Sequence, residues 1–152
     1  MRKEAYILKK LSKNDYITKL YEIYEDFHEL ILIFELLPEG DLYSKLKEKH
    51  KFSELEISSI LAQILRGLDF LHKNGVMHRD IKLDNILIAE LSPRIRVKIA
   101  DFSLAEFVNR ERKNQAMNKC GTPGFMAPEI FNEEKYDERV DVFSAGVILF
   151  IL

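Results

Sequence analysis

Apolar residues recur along the chain at two kinds of spacing, and these spacings predict the order of its helices and strands. A spacing of three and four residues, typical of a helix, marks Glu4 to Leu11 and, over a longer distance, Ile57 to Leu71. Ser53 and Glu56 stand three positions apart just before the longer stretch, so we expect a capping box at its start. Asn74-Gly75 predicts its end, because these residue types favour the backbone geometry that closes a helix.

Short apolar runs predict four strands. The first two extend from Tyr16 to Tyr24 and from Leu30 to Leu37, and the second opens with a continuous apolar run that predicts burial on both faces. Asp41 follows in the position of a helix N-cap. The other two strands are predicted at Ile86 to Ala89 and at Ile95 to Ala100.

The last part of the chain is predicted to be a loop followed by a helix. Residues 103–120 are polar and charged, which indicates a surface loop, and Asp137 to Leu152 is an apolar helix. The predicted order is a helix, two strands, several helices, short strands, a loop and a helix. This order indicates an α+β fold rather than a doubly wound parallel sheet.

Composition indicates which classes of partner the protein can have and in which cellular compartment it works. A net charge of −2 leaves no broad basic surface, so we predict no nucleic-acid partner. Cys120 is the only cysteine, so no internal disulfide can form. The N-terminus has no apolar signal-peptide core, and the apolar C-terminal end is far shorter than the ~20 residues that cross a bilayer. We therefore expect no membrane partner and a reducing, cytoplasmic (intracellular) setting.

The stretch from His78 to Asn85 carries the clearest chemistry. It places a carboxylate, Asp80, close to a cation, Lys82, and to the amide of Asn85, and Asp101 follows at the end of an apolar strand. This set suits the transfer of a phosphoryl group from a nucleotide to a hydroxyl, with an oxygen ligand for Mg²⁺. For Asp80 alone, a structural role as a turn or cap residue remains the alternative.

Four motifs in order extend this interpretation. His78 to Asn85 has the pattern H-R-D-x-x-x-x-N, and Lys98 to Phe102, Gly121 to Glu129 and Asp141 to Gly146 follow it. With these motifs, the chain resembles the middle of a eukaryotic protein kinase domain over nearly its whole length. Lys82, together with the Gly-Thr-Pro start of the third motif, resembles the serine/threonine branch. The rest of that motif looks like the calcium/calmodulin-dependent kinases.

This resemblance implies a fold and a reaction. The fold would be bilobal, with residues 1–37 as a remnant of the small lobe and the start of the hinge. Residues 38–152 would form the large lobe up to the helix after the activation segment. ATP and Mg²⁺ would be the cofactors, and the acceptor would be a Ser or Thr hydroxyl of a protein substrate.

The resemblance also implies a role for each matching residue. Asp80 would accept or orient the substrate proton, and Lys82 would stabilise charge on the moving phosphoryl group. Asn85 and Asp101 would hold Mg²⁺. Thr122 would hydrogen-bond to the Asp80–Lys82 pair. The residues implied for the remaining roles are Glu4 facing the nucleotide phosphates, Phe34 as gatekeeper, Glu35, Leu36 and Leu37 as hinge, Asp41 at the ribose, Leu87 under the adenine, Glu129 at the end of the loop and Asp141 behind His78 and Arg79.

For several of these residues a purely structural role remains open. Glu4 fits an exposed helix glutamate, and Asp141 fits an acid at the start of a helix. Phe34 and Leu87 fit simple core packing, which is compatible with lining a nucleotide pocket.

Departures from the kinase pattern leave a second function open. The chain has no G-x-G-x-x-G stretch and no lysine in a V-A-I-K context, so the resemblance implies a domain incomplete at both ends. The alternative function is therefore a catalytically inactive kinase-like fragment or a scaffold that binds partners.

Phe125 and Phe143 replace the usual tyrosine and tryptophan but keep an aromatic body.

Two further departures concern control of the site. Ser103 follows Asp101-Phe102 where kinases have glycine, and we expect it to bias rearrangement of this segment without preventing metal binding. The loop from Leu104 to Lys119 contains no Ser, Thr or Tyr. Our hypothesis is that Arg79 is not engaged by a loop phosphate, and that activity is constitutive or controlled by a partner.

Overall fold

The described part of the chain mixes helices with short strands. The computed structural model describes residues 2–11, 13–108, 118–132 and 136–152. Its helices and strands, in chain order, are α1 (Arg2–Leu11), β1 (Leu20–Glu25), β2 (Leu30–Phe34), α2 (Leu42–Lys49), α3 (Glu54–Lys73), β3 (Val76–Met77), β4 (Ile86–Glu90), β5 (Arg96–Ile99), β6 (Glu106–Phe107), α4 (Pro128–Asn132) and α5 (Arg139–Ile151). A 3₁₀ turn, Leu83–Asn85, precedes β4.

The strands pair in three separate two-stranded sheets. β1 pairs with β2, β3 with β6, and β4 with β5, and each pair is antiparallel. The described part of the chain combines helices with strands that pair only as antiparallel hairpins or two-stranded sheets, so the predicted α+β fold class is confirmed.

Helix α3 is the centre of the main core. Its capping box forms as predicted, because the Glu56 carboxylate accepts from the Ser53 N–H at 2.8 Å and the Ser53 hydroxyl accepts from the Glu56 N–H. The buried stripe comprises Ile60, Ile64, Leu68 and Leu71. It packs against β5 and α5. Leu65, which belongs to the predicted stripe, is instead 41% exposed.

The prediction that β2 is buried on both faces is wrong. Ile31 and Ile33 are 48% and 41% exposed. In the described residues β2 has only β1 beside it, so its sheet has two strands and much of its surface stays open. The continuous apolar run gave no information about how many neighbours the strand has.

The first two strands are also shorter than predicted. β1 begins at Leu20, because the residues before it attach to β5 instead. Ile17 bridges Ile99, and the Thr18 N–H donates to the Ile99 carbonyl at 3.0 Å. β2 ends at Phe34, and among the described residues after it only the Glu35 N–H continues the pairing, with the Lys19 carbonyl at 3.0 Å.

Two short strands were not predicted from the pattern. β3 and β6 have two residues each, too few to show an apolar period. β6 lies within the predicted surface loop, residues 103–120, of which residues 109–117 fall outside the described part. Pairing of Val76 with Phe107 and of Met77 with Glu106 brings the start of this loop beside the chain that leads to His78.

The apolar C-terminal helix leaves a hydrophobic surface. α5 agrees closely with the prediction, and Phe150 is 91% and Leu149 47% exposed, so part of its apolar surface is open. Among the described residues, we find no helix with the length and apolar character needed to traverse a bilayer.

Gly67 allows α3 to approach β5 closely, and this generates a stability prediction. An added Cβ at Gly67 would lie 2.7 Å from Cδ1 of the buried Ile99 and 3.2 Å from Cβ of Tyr16. Overpacking costs about 1–3 kcal/mol, which exceeds the ~1 kcal/mol that alanine gains over glycine within a helix. We therefore expect Gly67→Ala to lower the free energy of unfolding, as measured by urea denaturation.

Gly146 supplies the matched control, because nothing lies within 4 Å of a Cβ built on it in α5. Gly146→Ala should raise the free energy of unfolding by up to about 1 kcal/mol. An equal gain for both variants would contradict the close packing at Gly67.

Candidate active site

The backbone at His78 and Arg79 is held by a buried carboxylate. Asp141, near the start of α5, accepts from the His78 N–H and the Arg79 N–H, each at 2.8 Å. His72 Nε2 lies 2.9 Å from the same carboxylate. Asp141 is 1% exposed, and Arg79 has a φ of 71°, a left-handed conformation that is costly without such support. The expected contact of Asp141 with this turn is therefore present.

The His78 ring connects the loop to the strand that ends before Asp101. Its Nε2 lies 3.0 Å from the Ala100 carbonyl, its Nδ1 accepts from the Asp80 N–H at 3.2 Å, and its ring meets Phe102 edge to face at 4.9 Å. Burial lowers the pKa of His78, which keeps the ring neutral. One donor and one acceptor nitrogen fit that neutral form. His78 therefore serves as a rigid connector.

Asp80, Lys82 and Thr122 converge on one point. The Thr122 hydroxyl donates to Asp80 Oδ1 at 2.6 Å, Lys82 Nζ lies 3.0 Å from Asp80 Oδ2, and Lys82 Nζ donates to Thr122 Oγ1 at 3.0 Å. Burial alone would raise the pKa of Asp80, but the hydrogen bonds from Thr122 and Lys82 and the charge of Lys82 together hold the pKa below its ordinary value. Asp80 is therefore an ionised base next to a cation.

Asn85 completes this group from the 3₁₀ turn. Its amide nitrogen donates to the Asp80 carbonyl at 2.9 Å and to Asp80 Oδ2 at 3.1 Å. The amide oxygen accepts no hydrogen bond from any described residue and remains available to a cation. The Asn85 carbonyl accepts from the Ala100 N–H at 2.9 Å, so the turn lies directly beside the segment that carries Asp101.

Asp101 and Glu4 bring negative charge to the same region. Burial raises the pKa of Glu4, and the charge of Asp101 raises it further, so the two carboxyl groups lie in the same region. The Asp101 carboxylate accepts from the Ser103 N–H at 3.2 Å and is itself exposed. The positive φ of 60° occurs at Asp101, not at Ser103. Ser103 does not adopt a positive φ in this conformation, so the usual glycine is not required at this position.

The segment after β2 presents free backbone groups. The Glu35 N–H donates to the Lys19 carbonyl at 3.0 Å, and the Leu37 carbonyl accepts from Gly40. The Glu35 carbonyl and the Leu37 N–H have no partner in the part of the chain that the structure describes. The Glu35 side chain turns away to Lys98, with Nζ–O distances of 2.6 and 2.8 Å. The sequence did not signal this ion pair.

The other predicted nucleotide residues lie around that segment. Asp41 caps α2 through Ser44, whose N–H and hydroxyl each lie 2.8 Å from a carboxylate oxygen, and its backbone bridges Leu87. Leu87 is half-buried in β4, and Phe34, at the end of β2, is 37% exposed.

Arg79 has partners that the sequence did not indicate. Its Nε donates to the Leu104 carbonyl at 2.7 Å, and Nη1 lies 3.3 Å from the Tyr136 hydroxyl. Its Nη2 lies 3.8 Å from the Glu106 carboxylate, which pairs with Lys3 of α1 at 2.6 Å. These contacts are long-range, and no local motif marks Glu106 or Tyr136 as a partner of Arg79.

Glu129 lies in the first turn of α4 and is partly exposed. It forms no hydrogen bond or ion pair with a described residue, so its expected anchoring of the loop stays a prediction.

The arrangement brings a base, a cation and several oxygen ligands into one region. Comparison with known proteins decides the family of the chain. A family model for the protein kinase domain matches residues 1–152, the whole chain. The chain belongs to the protein kinase domain family. The recognition of a kinase domain of the serine/threonine type, similar to calcium/calmodulin-dependent kinases, is thereby confirmed.

The similar proteins include named kinases that are much longer than this chain. Calcium/calmodulin-dependent protein kinase type IV of Homo sapiens is 40% identical over 152 residues, 100% of this chain and 32% of that protein. Type 1 of Caenorhabditis briggsae is 35% identical over the whole chain and 42% of its own length. Myosin light chain kinase A of Dictyostelium discoideum is 35% identical, with 50% covered. The chain therefore spans about a third to a half of these relatives.

Thr122 generates a prediction about the Asp80 carboxyl of this kinase domain. Thr122→Val removes a hydroxyl donor and keeps the burial, so the pKa of Asp80 should rise, as measured by carbon-13 NMR during a pH titration. A depressed pKa stabilises the fold above the pKa of the unfolded chain, and that contribution disappears as the pH falls. The variant should therefore begin acid unfolding at a higher pH.

Thr18→Val is the matched control, because the Thr18 hydroxyl donates to the Ile99 carbonyl at 3.1 Å and not to Asp80. An equal rise in the Asp80 pKa in both variants would exclude a specific effect of Thr122.

Proposed function

We propose that this kinase domain belongs to an ATP- and Mg²⁺-dependent serine/threonine protein kinase that transfers the γ-phosphoryl group to a protein hydroxyl. The observation that supports this most directly is the ionised Asp80 carboxylate, held between Thr122 and Lys82. The proposal concerns the whole protein, because the chain spans only part of its relatives' length. An ATP-dependent reaction also implies an intracellular, cytoplasmic setting.

The nucleotide base is proposed to lie beside the segment after β2. The free Glu35 carbonyl can accept from the amino group of adenine, and the free Leu37 N–H can donate to a ring nitrogen. Phe34 and Leu87 supply apolar surface for the ring, and Asp41 lies beside Leu87, where it can meet the ribose. In this proposal, residues 1–37 form the small-lobe part with the start of the hinge, and residues 38–152 form the large-lobe part.

The donor groups near Asp101 fit Mg²⁺. The exposed Asp101 carboxylate and the free Asn85 amide oxygen are hard oxygen ligands, and Asn85 lies next to the segment that leads to Asp101. When bound, the metal would neutralise charge on the nucleotide phosphates. The charge of Asp101 acts on Glu4, so a second carboxyl group lies at this edge.

Two side chains are proposed to act on the substrate. Asp80 would accept the proton of the incoming Ser or Thr hydroxyl, because its carboxylate is ionised and is held by Thr122. Lys82 would stabilise negative charge that develops on the transferring group. Thr122 would position both of them, since it hydrogen-bonds to each.

A comparison of two aspartates in the same loop tests this function. We expect Asp80→Asn to lower kcat for peptide phosphorylation by about 10²- to 10⁴-fold in the full-length protein, because the general base is lost. Asp84→Asn makes the same change of charge at an exposed position with no partner among the described residues, and it should retain activity. The assay is transfer of radiolabelled γ-phosphate from Mg-ATP to a Ser/Thr peptide.

Equal activity of the Asp80→Asn variant and wild type would rule out this role for Asp80. ATP binding by the wild-type protein without any phosphoryl transfer would instead support the alternative function, a kinase-like module that binds partners.

We also propose that loop phosphorylation is not needed for activity. Arg79 is already engaged by the Leu104 carbonyl, the Tyr136 hydroxyl and the Glu106 carboxylate. The loop from Leu104 to Lys119 contains no Ser, Thr or Tyr hydroxyl that could be phosphorylated. Treatment of the active protein with a broad-specificity phosphatase should therefore leave the initial rate unchanged, and a large loss of rate would contradict this.

A further inference from the structure

A surface groove lies along the N-terminal half of α3, between this helix and the turn that joins β4 to β5. Its largest part is a cavity of about 480 Å³, lined by residues of α3, β5 and the segment before β1. A second cavity, of about 330 Å³, shares Leu55, Ser59, Arg94 and Ile95 with the first. A third, of about 400 Å³, continues from the second toward α2. The groove is therefore long enough for an extended segment of several residues.

The main cavity carries an excess of guanidinium groups. Arg66 and Arg94 are exposed and form no hydrogen bond or ion pair with any residue that the structure describes. Arg96 pairs with Glu90 at 3.1 Å. Asp15 is the only acidic residue among those that line this cavity. Two unpaired arginines at one groove provide sites that match carboxylates in charge and geometry.

Apolar surface lies between these charges. Leu55, on the first turn of α3, is 83% exposed, and Leu91, in the turn after β4, is 37% exposed. Both line the second cavity, together with Arg94. An occupant that combines acidic and apolar side chains would therefore meet complementary groups along the groove.

The floor of the groove is rigid. The Gln63 side chain donates to the Ile95 carbonyl at 2.9 Å and accepts from the Val97 N–H at 3.1 Å, which ties α3 to β5. Ile95 and Val97 are buried. A preformed surface loses little conformational entropy when a partner binds.

We propose that this groove is a docking site for an extended, acidic peptide segment of a partner protein. Carboxylates of the segment bind Arg66 and Arg94, and an apolar side chain packs against Leu55. The groove contains none of the residues assigned above to phosphoryl transfer, so docking is separate from the chemistry.

The charges of the groove favour a peptide over a nucleic acid. Glu48 and Glu56, which line the third cavity, pair with Lys45 and Lys49 at 2.7 and 2.5 Å, so this end of the groove offers no net positive charge to a continuous phosphate backbone. The whole chain is also acidic, with a net charge of −2. A peptide can place its few acidic residues at the arginines alone.

The proposal is tested by fluorescence anisotropy with a labelled twelve-residue peptide in which pairs of glutamates alternate with single leucines. The peptide is added to the 152-residue chain at low salt. We expect Arg66→Glu and Arg94→Glu each to weaken binding about tenfold, since each replaces an attraction by a repulsion. Leu55→Ser should also weaken binding, and because Leu55 is exposed it should leave the fold intact. Added salt should weaken binding by the wild-type chain.

Lys9→Glu is the control for charge, because Lys9 lies on α1, is exposed and forms no hydrogen bond or ion pair with another described residue. Its affinity should equal that of wild type. Circular dichroism checks the fold of each variant. If Arg66→Glu or Arg94→Glu loses helical signal, Arg66→Gln or Arg94→Gln is measured in its place.

Four results would overturn the proposal. The first three are no binding by the wild-type chain, an equal loss of affinity in Lys9→Glu, and equal binding of a peptide in which lysine replaces glutamate. Displacement of the acidic peptide by a single-stranded oligonucleotide at equal concentration would also overturn it, in favour of a nucleic-acid site.

Discussion

The carboxylate of Asp141 holds the backbone on which the whole candidate site is built. It accepts two backbone N–H groups, from His78 and Arg79, across more than sixty positions of sequence. Each buried donor left without an acceptor would cost about 1–3 kcal/mol, and the left-handed backbone of Arg79 adds to that cost. The position of Asp80, one residue further on, therefore depends on α5 as much as on its own loop.

Around this fixed point the charges are arranged in two groups. Asp80 is ionised because Thr122 and Lys82 stabilise its charge against the effect of burial. Glu4, near Asp101, is the opposite case, since burial and the charge of Asp101 both raise the pKa of Glu4. One group suits proton abstraction next to a cation, and the other suits the binding of a positively charged ion. Burial, hydrogen bonds and neighbouring charges thus give Asp80 a different role from Glu4 and Asp101, although all three lie in one region.

Local sequence predicted those features that depend on neighbours in the chain. The capping box of Ser53 and Glu56, the N-cap at Asp41 and the extent of α5 all follow from residues within a few positions. The contacts of Thr122 and Asp141 were expected only through the resemblance to kinases. The exposure of β2, the pairing of β3 with β6 and the contact of Arg79 with Glu106 depend on distant segments, and no periodicity in the sequence encodes them.

The buried ion pair of Glu35 and Lys98 has a consequence for how this sequence can change over evolutionary time. Loss of Glu35 alone would leave the buried Lys98 ammonium without its counter-charge, at a cost of up to about 3–5 kcal/mol, whereas apolar replacement of both is close to neutral. Position 35 is therefore constrained by the residue at position 98. Substitutions at positions 35 and 98 should therefore be correlated in descendants of this gene, which couples the segment after β2 to the strand leading to Asp101.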